Sequence, residues 1–214
     1  MAQSQTDQYN SNSASSGSFK MGSYTIQRSP LNKTNLHIAI SDEHQFKMCR
    51  IISAANREEF LARECQVLQR LQEIQPKENL LSCVDTIDNG DIMIVFEPKK
   101  CLLKCIITPQ QIMEKFPHCR LPESHIKVIM KQVLQAIHHC HEAGIVLRKL
   151  SIHSLVIFLQ PTMPPPSLTV AIVDFSNAKL VEGPLNSEAA KEEFAADMQL
   201  AGQLLLALVT GNIQ

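Results

Sequence analysis

The sequence predicts an α+β protein with a strand-rich first half and a mainly helical second half. Three alternating apolar runs, separated by polar turns, lie between Tyr24 and Ile52, and two more flank Asp88-Asn89-Gly90. After Pro98 the apolar period lengthens to that of helices, most plainly over 121–142. With 214 residues, 44% of them hydrophobic, the chain can fill the core of one domain or of two small lobes.

Residues 1–20 are rich in Ser, Asn and Gln and have the composition of a disordered tail. The strand runs follow at 24–26, 35–40 and 45–52. Their turns are Ser29-Pro30-Leu31-Asn32-Lys33 and Ser41-Asp42-Glu43-His44. The first turn has no glycine, so a backbone cradle closing on phosphates is not indicated. Residues 56–75 read as a helix whose apolar face carries Phe60, Leu61, Val67, Leu68 and Leu71, with Glu64 near that face and Pro76 as its stop. Strands around 80–87 and 91–97, joined at Asp88-Asn89-Gly90, complete a lobe of five strands and one helix over 21–98.

The second unit spans 99–214. Pro122-Glu123-Ser124 opens a helix reaching about 142, with Ile126, Ile129, Met130, Val133, Leu134 and Ile137 as its stripe. A turn at Gly144 leads into a basic loop, a strand at 155–159 and a second strand at 168–173. The prolines between them, Pro161 and Pro164 to Pro166, read as a surface loop rather than a ligand for a polyproline-binding module. A polar segment, 182–193, precedes a buried helix from Phe194 to Leu208.

A net charge of −1 without a Lys/Arg cluster argues against nucleic acid as the main partner. The run Leu200 to Val209 contains Gly202 and Gln203 and is too short to cross a bilayer, and the first twenty residues lack a secretory signal. Seven cysteines, odd in number and without a C-x-x-C pair, suit reduced thiols in the cytoplasm or nucleus. His138-His139-Cys140-His141 does not read as a metal site, because neighbouring helical side chains point about 100° apart.

The order of these elements resembles that of the protein kinases over residues 24–214. Leu147-Arg148-Lys149-Leu150-Ser151-Ile152-His153-Ser154 resembles the H-R-D-L-x-x-x-N catalytic loop, and Asp174-Phe175-Ser176 resembles D-F-G. Arg50 stands where the strand lysine belongs and Glu64 where its helix-C partner belongs; Asp197 to Gly202 resembles the D-x-W-x-x-G opening of helix F. Within that family, His139-Cys140-His141 followed by Gly144-Ile145-Val146-Leu147-Arg148 is similar to the Tribbles pseudokinases. Tribbles proteins keep the loop aspartate, here Lys149, and usually lose the D-F-G aspartate, kept here as Asp174.

The resemblance implies a bilobal kinase-like fold whose C-lobe stops after helix F, at Gln214. Catalysis is not expected, because Lys149, Ser151 and Ser154 replace the base, the phosphate-neutralising lysine and a metal ligand. Any retained nucleotide is assigned to Arg50, Glu64, Phe96, Glu97 and Asp174, with Asp174 as a Mg²⁺ ligand; neither ATP nor Mg²⁺ is required. Asp174 reads equally as a strand-end cap, Arg50–Glu64 equally as a surface ion pair, and Lys149 as a solvated loop lysine. Leu68, Cys83, Leu147 and Phe175 match the family's apolar stack, Arg148 belongs to the loop frame, and Asp197 holds the loop backbone. Asp174 and Asp197 lie 23 positions apart with no A-P-E anchor between them, so the substrate platform is short. The implied role is an inactive module binding signalling kinases of the MAP-kinase pathways and ubiquitin-ligase components or substrates. The alternative is an atypical serine/threonine kinase with residual ATP binding and weak transfer.

Overall fold

A computed structural model describes residues 17–27, 36–73, 79–97, 106–107, 109, 113, 121–160 and 167–211. The first sixteen residues of the expected tail, the 29–33 turn, Pro76, the 161–166 proline loop and Cys101, Cys105 and Cys119 lie outside them.

Strands β1 (Ser18–Met21), β2 (Tyr24–Gln27), β3 (Leu36–Ser41), β4 (Phe46–Ile52), β5 (Ser82–Asn89) and β6 (Asp91–Glu97) form one antiparallel sheet. Its order is β1-β2-β3-β4-β6-β5. The sheet therefore has one strand more than the five expected. β1 arises within the stretch read as tail, where Phe19 and Met21 alternate with polar neighbours and pack towards Ile26, Ala39 and Val95.

Period-two alternation divides the sheet's side chains between two cores. Met48, Ile92, Ile94 and Phe96 face the helices, whereas Cys49, Met93 and Val95 face the β1–β2 hairpin. Arg50 is two residues from Met48 and is thereby delivered to the helix side.

Helix α1 runs as α-helix at Arg57–Glu59, as π-helix at Phe60–Glu64 and as α-helix again at Cys65–Glu73. The wider turn brings Phe60 and Glu64 inward with Val67, Leu68 and Leu71, and it leaves Leu61, expected on the apolar face, 44% exposed.

In the second unit, α2 (Glu123–Glu142) buries Ile126, Ile129, Val133 and Ile137; Leu134, expected in that stripe, lies at its edge and is exposed. Strands β9 (Leu155–Gln160) and β10 (Ser167–Ile172) pair with β7 (Ile106–Ile107), and β8 (Ile145–Val146) pairs with β11 (Lys179–Leu180). Helix α3 spans Glu188–Thr210 and begins six residues before the expected start. Ser187 caps it by accepting from the Ala190 amide, and Ala189, Lys191 and Glu192 are helix formers despite their polar context.

The two units share a continuous core. At their junction Asn79, at φ 64°, donates to Gln132 (2.6 Å) and to the Val170 carbonyl (2.9 Å), and the Ile172 amide donates to the Asn79 carbonyl (3.0 Å). No described helix is long and apolar enough to cross a membrane.

Candidate functional site

A cleft of about 760 Å³ opens between the end of β4, the first turns of α1, the basic loop and the segment after β10. Arg50, Glu64, Lys149, Ser151 and Asp174 line it, so the fold brings together five positions that the sequence singled out. Phe96 and Glu97 do not line it. Phe96 is buried in the core opposite Met48, and Glu97 pairs with Lys47 at the end of β6.

Four charges alternate in sign through the cleft. The Arg50 guanidinium donates to the Glu64 carboxylate, and its other nitrogen lies 3.5 Å from Asp174 Oδ1. Lys149 Nζ lies 3.1 Å from Asp174 Oδ2. The Ser176 amide also donates to Asp174 Oδ1 (3.1 Å), so the capping role and the ionic role of Asp174 coexist. Arg50 and Glu64 are buried, which overturns the surface-pair reading; Lys149 is half exposed, yet it is an ion-pair partner rather than a free loop lysine.

Burial pushes the Glu64 carboxyl above its ordinary value, and Arg50 opposes this only in part. Its Oε1 and Arg50 Nε are buried without a hydrogen-bond partner among the described residues. Burial also acts upward on Asp174, but hydrogen bonds from Ser176 and the Lys149 ammonium outweigh it and hold that carboxyl below the usual range. Asp174 is therefore ionised at neutral pH.

The loop beneath the cleft is held from behind. Asp197 on α3 is buried and accepts from the Leu147 amide (2.8 Å), the Arg148 amide (2.8 Å) and His141 Nε2 (2.9 Å). Three converging donors pin the backbone where Arg148 adopts φ 58°. Arg148 itself reaches Glu193 (3.8 Å), as does Lys179 of β11 (2.7 Å). Ser151 Oγ accepts from the His153 amide, and Ser154 Oγ accepts from the Ser151 amide, which closes a capping box on the turn Ile152–Ser154. Ser154 is thus fully buried and spent on the loop's own geometry, outside the cleft lining.

The protein kinase domain family matches residues 35–203. The chain belongs to the protein kinase family. Solved structures described as the Rad53 kinase domain and SCD2, alone and in complex with AMPPNP, superpose with TM-scores of 0.64 and 0.61. Both are 19% identical to this chain, cover 89% of it, and are themselves covered over 66% of their length. At that identity the likeness is one of fold, and this chain spans just under two thirds of those kinase chains. No curated protein sequence matches it.

In kinase terms α1 is helix C, residues 147–154 form the catalytic loop, and α3 is helix F. Leu68, Leu147 and Phe175 are buried in one core with Cys83 packed against it. The helix cluster resolves side chain by side chain: Cys140 enters the core, His141 stacks on Phe194 and meets Asp197, and His138 turns out towards Glu142. Sequence reasoning did not find His37, Glu59, His153 and Asn177, which also line the cleft. His153 carried a signal, since it lies within the loop motif; the others come from three different elements, and only folding gathers them.

Proposed function

We propose that the chain is a catalytically inactive kinase domain, similar to the Tribbles pseudokinases, that acts as a binding module in intracellular signalling. The observation carrying this reading is the Lys149–Asp174 contact. At the loop position where phosphoryl transfer needs a carboxylate to accept the hydroxyl proton, this chain holds an ammonium directed at the metal-binding aspartate. An ammonium has no lone pair with which to accept that proton. Loss of a general base alone lowers such rates by roughly 10²–10⁴-fold.

The residues do not fit Mg²⁺. Both oxygens of Asp174 face positive groups or an amide, Ser154 is buried in its capping box, and no described group of three or more His, Cys, Asp or Glu residues converges. Nor do they favour a polyphosphate, because Lys149 is already matched by Asp174 and Glu59 adds a further carboxylate to the lining. What remains is a kinase-like fold whose Leu68, Leu147 and Phe175 share one core, and we read it as a binding module. The similarity to Tribbles proteins points to MAP-kinase-pathway kinases and ubiquitin-ligase components or substrates as partners, and to the cytoplasm or nucleus as location.

A second reading, an atypical kinase with residual ATP binding, draws on Arg50, Glu64 and Asp174 lying together in one cleft. One comparison separates the two. Purified chain and its Asp174→Ala variant are incubated with labelled ATP, Mg²⁺ or Mn²⁺ and a general protein substrate, and binding to MAP-kinase-pathway kinases is measured in parallel. Binding with equal, background transfer from both proteins is expected. Transfer present in the parent and abolished by Asp174→Ala would establish the second reading.

A further inference from the structure

Asp174 is the residue through which a kinase cleft engages its metal, yet here its surroundings are already complete. Oδ2 faces Lys149 Nζ at 3.1 Å, while Oδ1 accepts from the Ser176 amide at 3.1 Å and lies 3.5 Å from Arg50. The cationic head nearest Oδ2 comes from the loop itself, on a residue whose backbone neighbour Arg148 is fixed by Asp197. Arg50 carries the chain of charges onward to Glu64 on helix C. The sequence Glu64, Arg50, Asp174, Lys149 alternates in sign and crosses from the first unit to the second at Arg50–Asp174.

We infer that Lys149 is the resident counter-ion of this cleft, standing against Asp174 in place of a divalent cation, and that it completes a series of charges whose Arg50–Asp174 contact joins the two lobes without bound metal or nucleotide. The inference rests on the inactive-kinase reading and adds a physical role for the residue that replaced the base. Two consequences separate it from a mere loss of function. A divalent cation has no vacancy at Asp174 while the ammonium is there, because like charges a few ångströms apart repel strongly. Removing only the ammonium, with the loop backbone still held by Asp197, leaves an ionised carboxylate with Arg50 as its remaining cationic neighbour and so lowers the electrostatic barrier to a cation at Asp174 Oδ2.

The test uses the full chain, with Mn²⁺ as the probe. Mn²⁺ binding is read from loss of the free-ion electron paramagnetic resonance signal, and independently from the melting midpoint in Mn²⁺ against EDTA. The parent chain is expected to leave the Mn²⁺ signal unchanged and to melt at the same temperature in both. Lys149→Asn is expected to bind Mn²⁺ roughly tenfold more tightly or better, with a midpoint that rises with Mn²⁺ concentration. Both effects should vanish in Lys149→Asn/Asp174→Asn. Parent-chain binding that disappears in Asp174→Asn would overturn the inference, as would a folded Lys149→Asn that binds no more Mn²⁺ than the parent. Lys149→Gln, which preserves more of the aliphatic stem, provides the same comparison should the shorter variant not melt cooperatively. A parent chain that binds Mn²⁺ without transferring phosphate defeats this inference alone; one that transfers phosphate defeats the inactive-kinase reading.

Discussion

Arg50 and Glu64 illustrate how a buried ion pair behaves when one partner is removed. Each is desolvated, so the survivor of a single substitution is left as an uncompensated charge in the core. Arg50→Met alone should therefore lower unfolding free energy by about 3–5 kcal/mol, whereas Arg50→Met/Glu64→Leu should restore most of it. Urea denaturation of the three proteins checks this. Glu64 and Asp174 also oppose each other in pH. Glu64 has a raised folded value, so its contribution is fully present below its unfolded value and is lost as pH rises through the raised one. Asp174 has a lowered value, so its contribution is present above its unfolded value and is lost as pH falls through the lowered one. Denaturant melts of Glu64→Gln between about pH 4 and 8 should consequently lack the parent's decline on the alkaline side of the ordinary carboxylate range, and melts of Asp174→Asn below about pH 4 should lack the parent's decline on the acid side. At this scale the sequence was partly legible. Arg50, Glu64 and Asp174 stood at recognisable motif positions, but the Lys149–Asp174 contact joins two separate loops and has no spacing signature.

Among elements, the loop at 147–154 depends most on a residue outside it. Asp197 collects two backbone amides and His141 in a buried position. Asp197→Ala should leave both amides unsatisfied and release Arg148 from its left-handed backbone, at a cost of about 3–5 kcal/mol measured by thermal or urea unfolding. Amide hydrogen exchange at Leu147 and Arg148 should accelerate in that variant before exchange in β9 does. The order of strands and helices was readable because apolar period and turn chemistry agree along most of the chain. It failed where those signals conflict. β1 was hidden by the serines around it, and the start of α3 by its charged first turns. Leu61 was assigned inward because a regular 3.6-residue period was assumed across a stretch that is π-helical.

At the scale of the whole molecule, helix α3 presents two different surfaces. Asp197, Ala201, Leu204 and Leu208 are buried, whereas Met198, Leu205, Leu206 and Val209 are exposed, Leu206 by 62%. No charged residue occurs between Met198 and Thr210 to oppose association. An exposed apolar stripe of this kind should bind an environment-sensitive dye in the folded protein. Leu206→Lys should reduce that fluorescence while changing unfolding free energy by no more than about 0.5 kcal/mol, because the side chain packs on little. Light scattering of the two proteins at equal concentration gives an independent measure of the same surface. The sequence reads this helix as apolar on most faces, and hydrophobicity alone does not say which of them find neighbours.

The seat that Asp197 provides for the loop backbone has a bearing on how such a molecule arises. It grips the main-chain amides of Leu147 and Arg148, groups that every residue but proline possesses, and so is indifferent to the side chain at 149. The side chain at 149 can therefore be exchanged while the loop keeps its path, and the variant remains a folded protein. Shape and reactivity are inherited through different atoms, and descent can discard one while retaining the other.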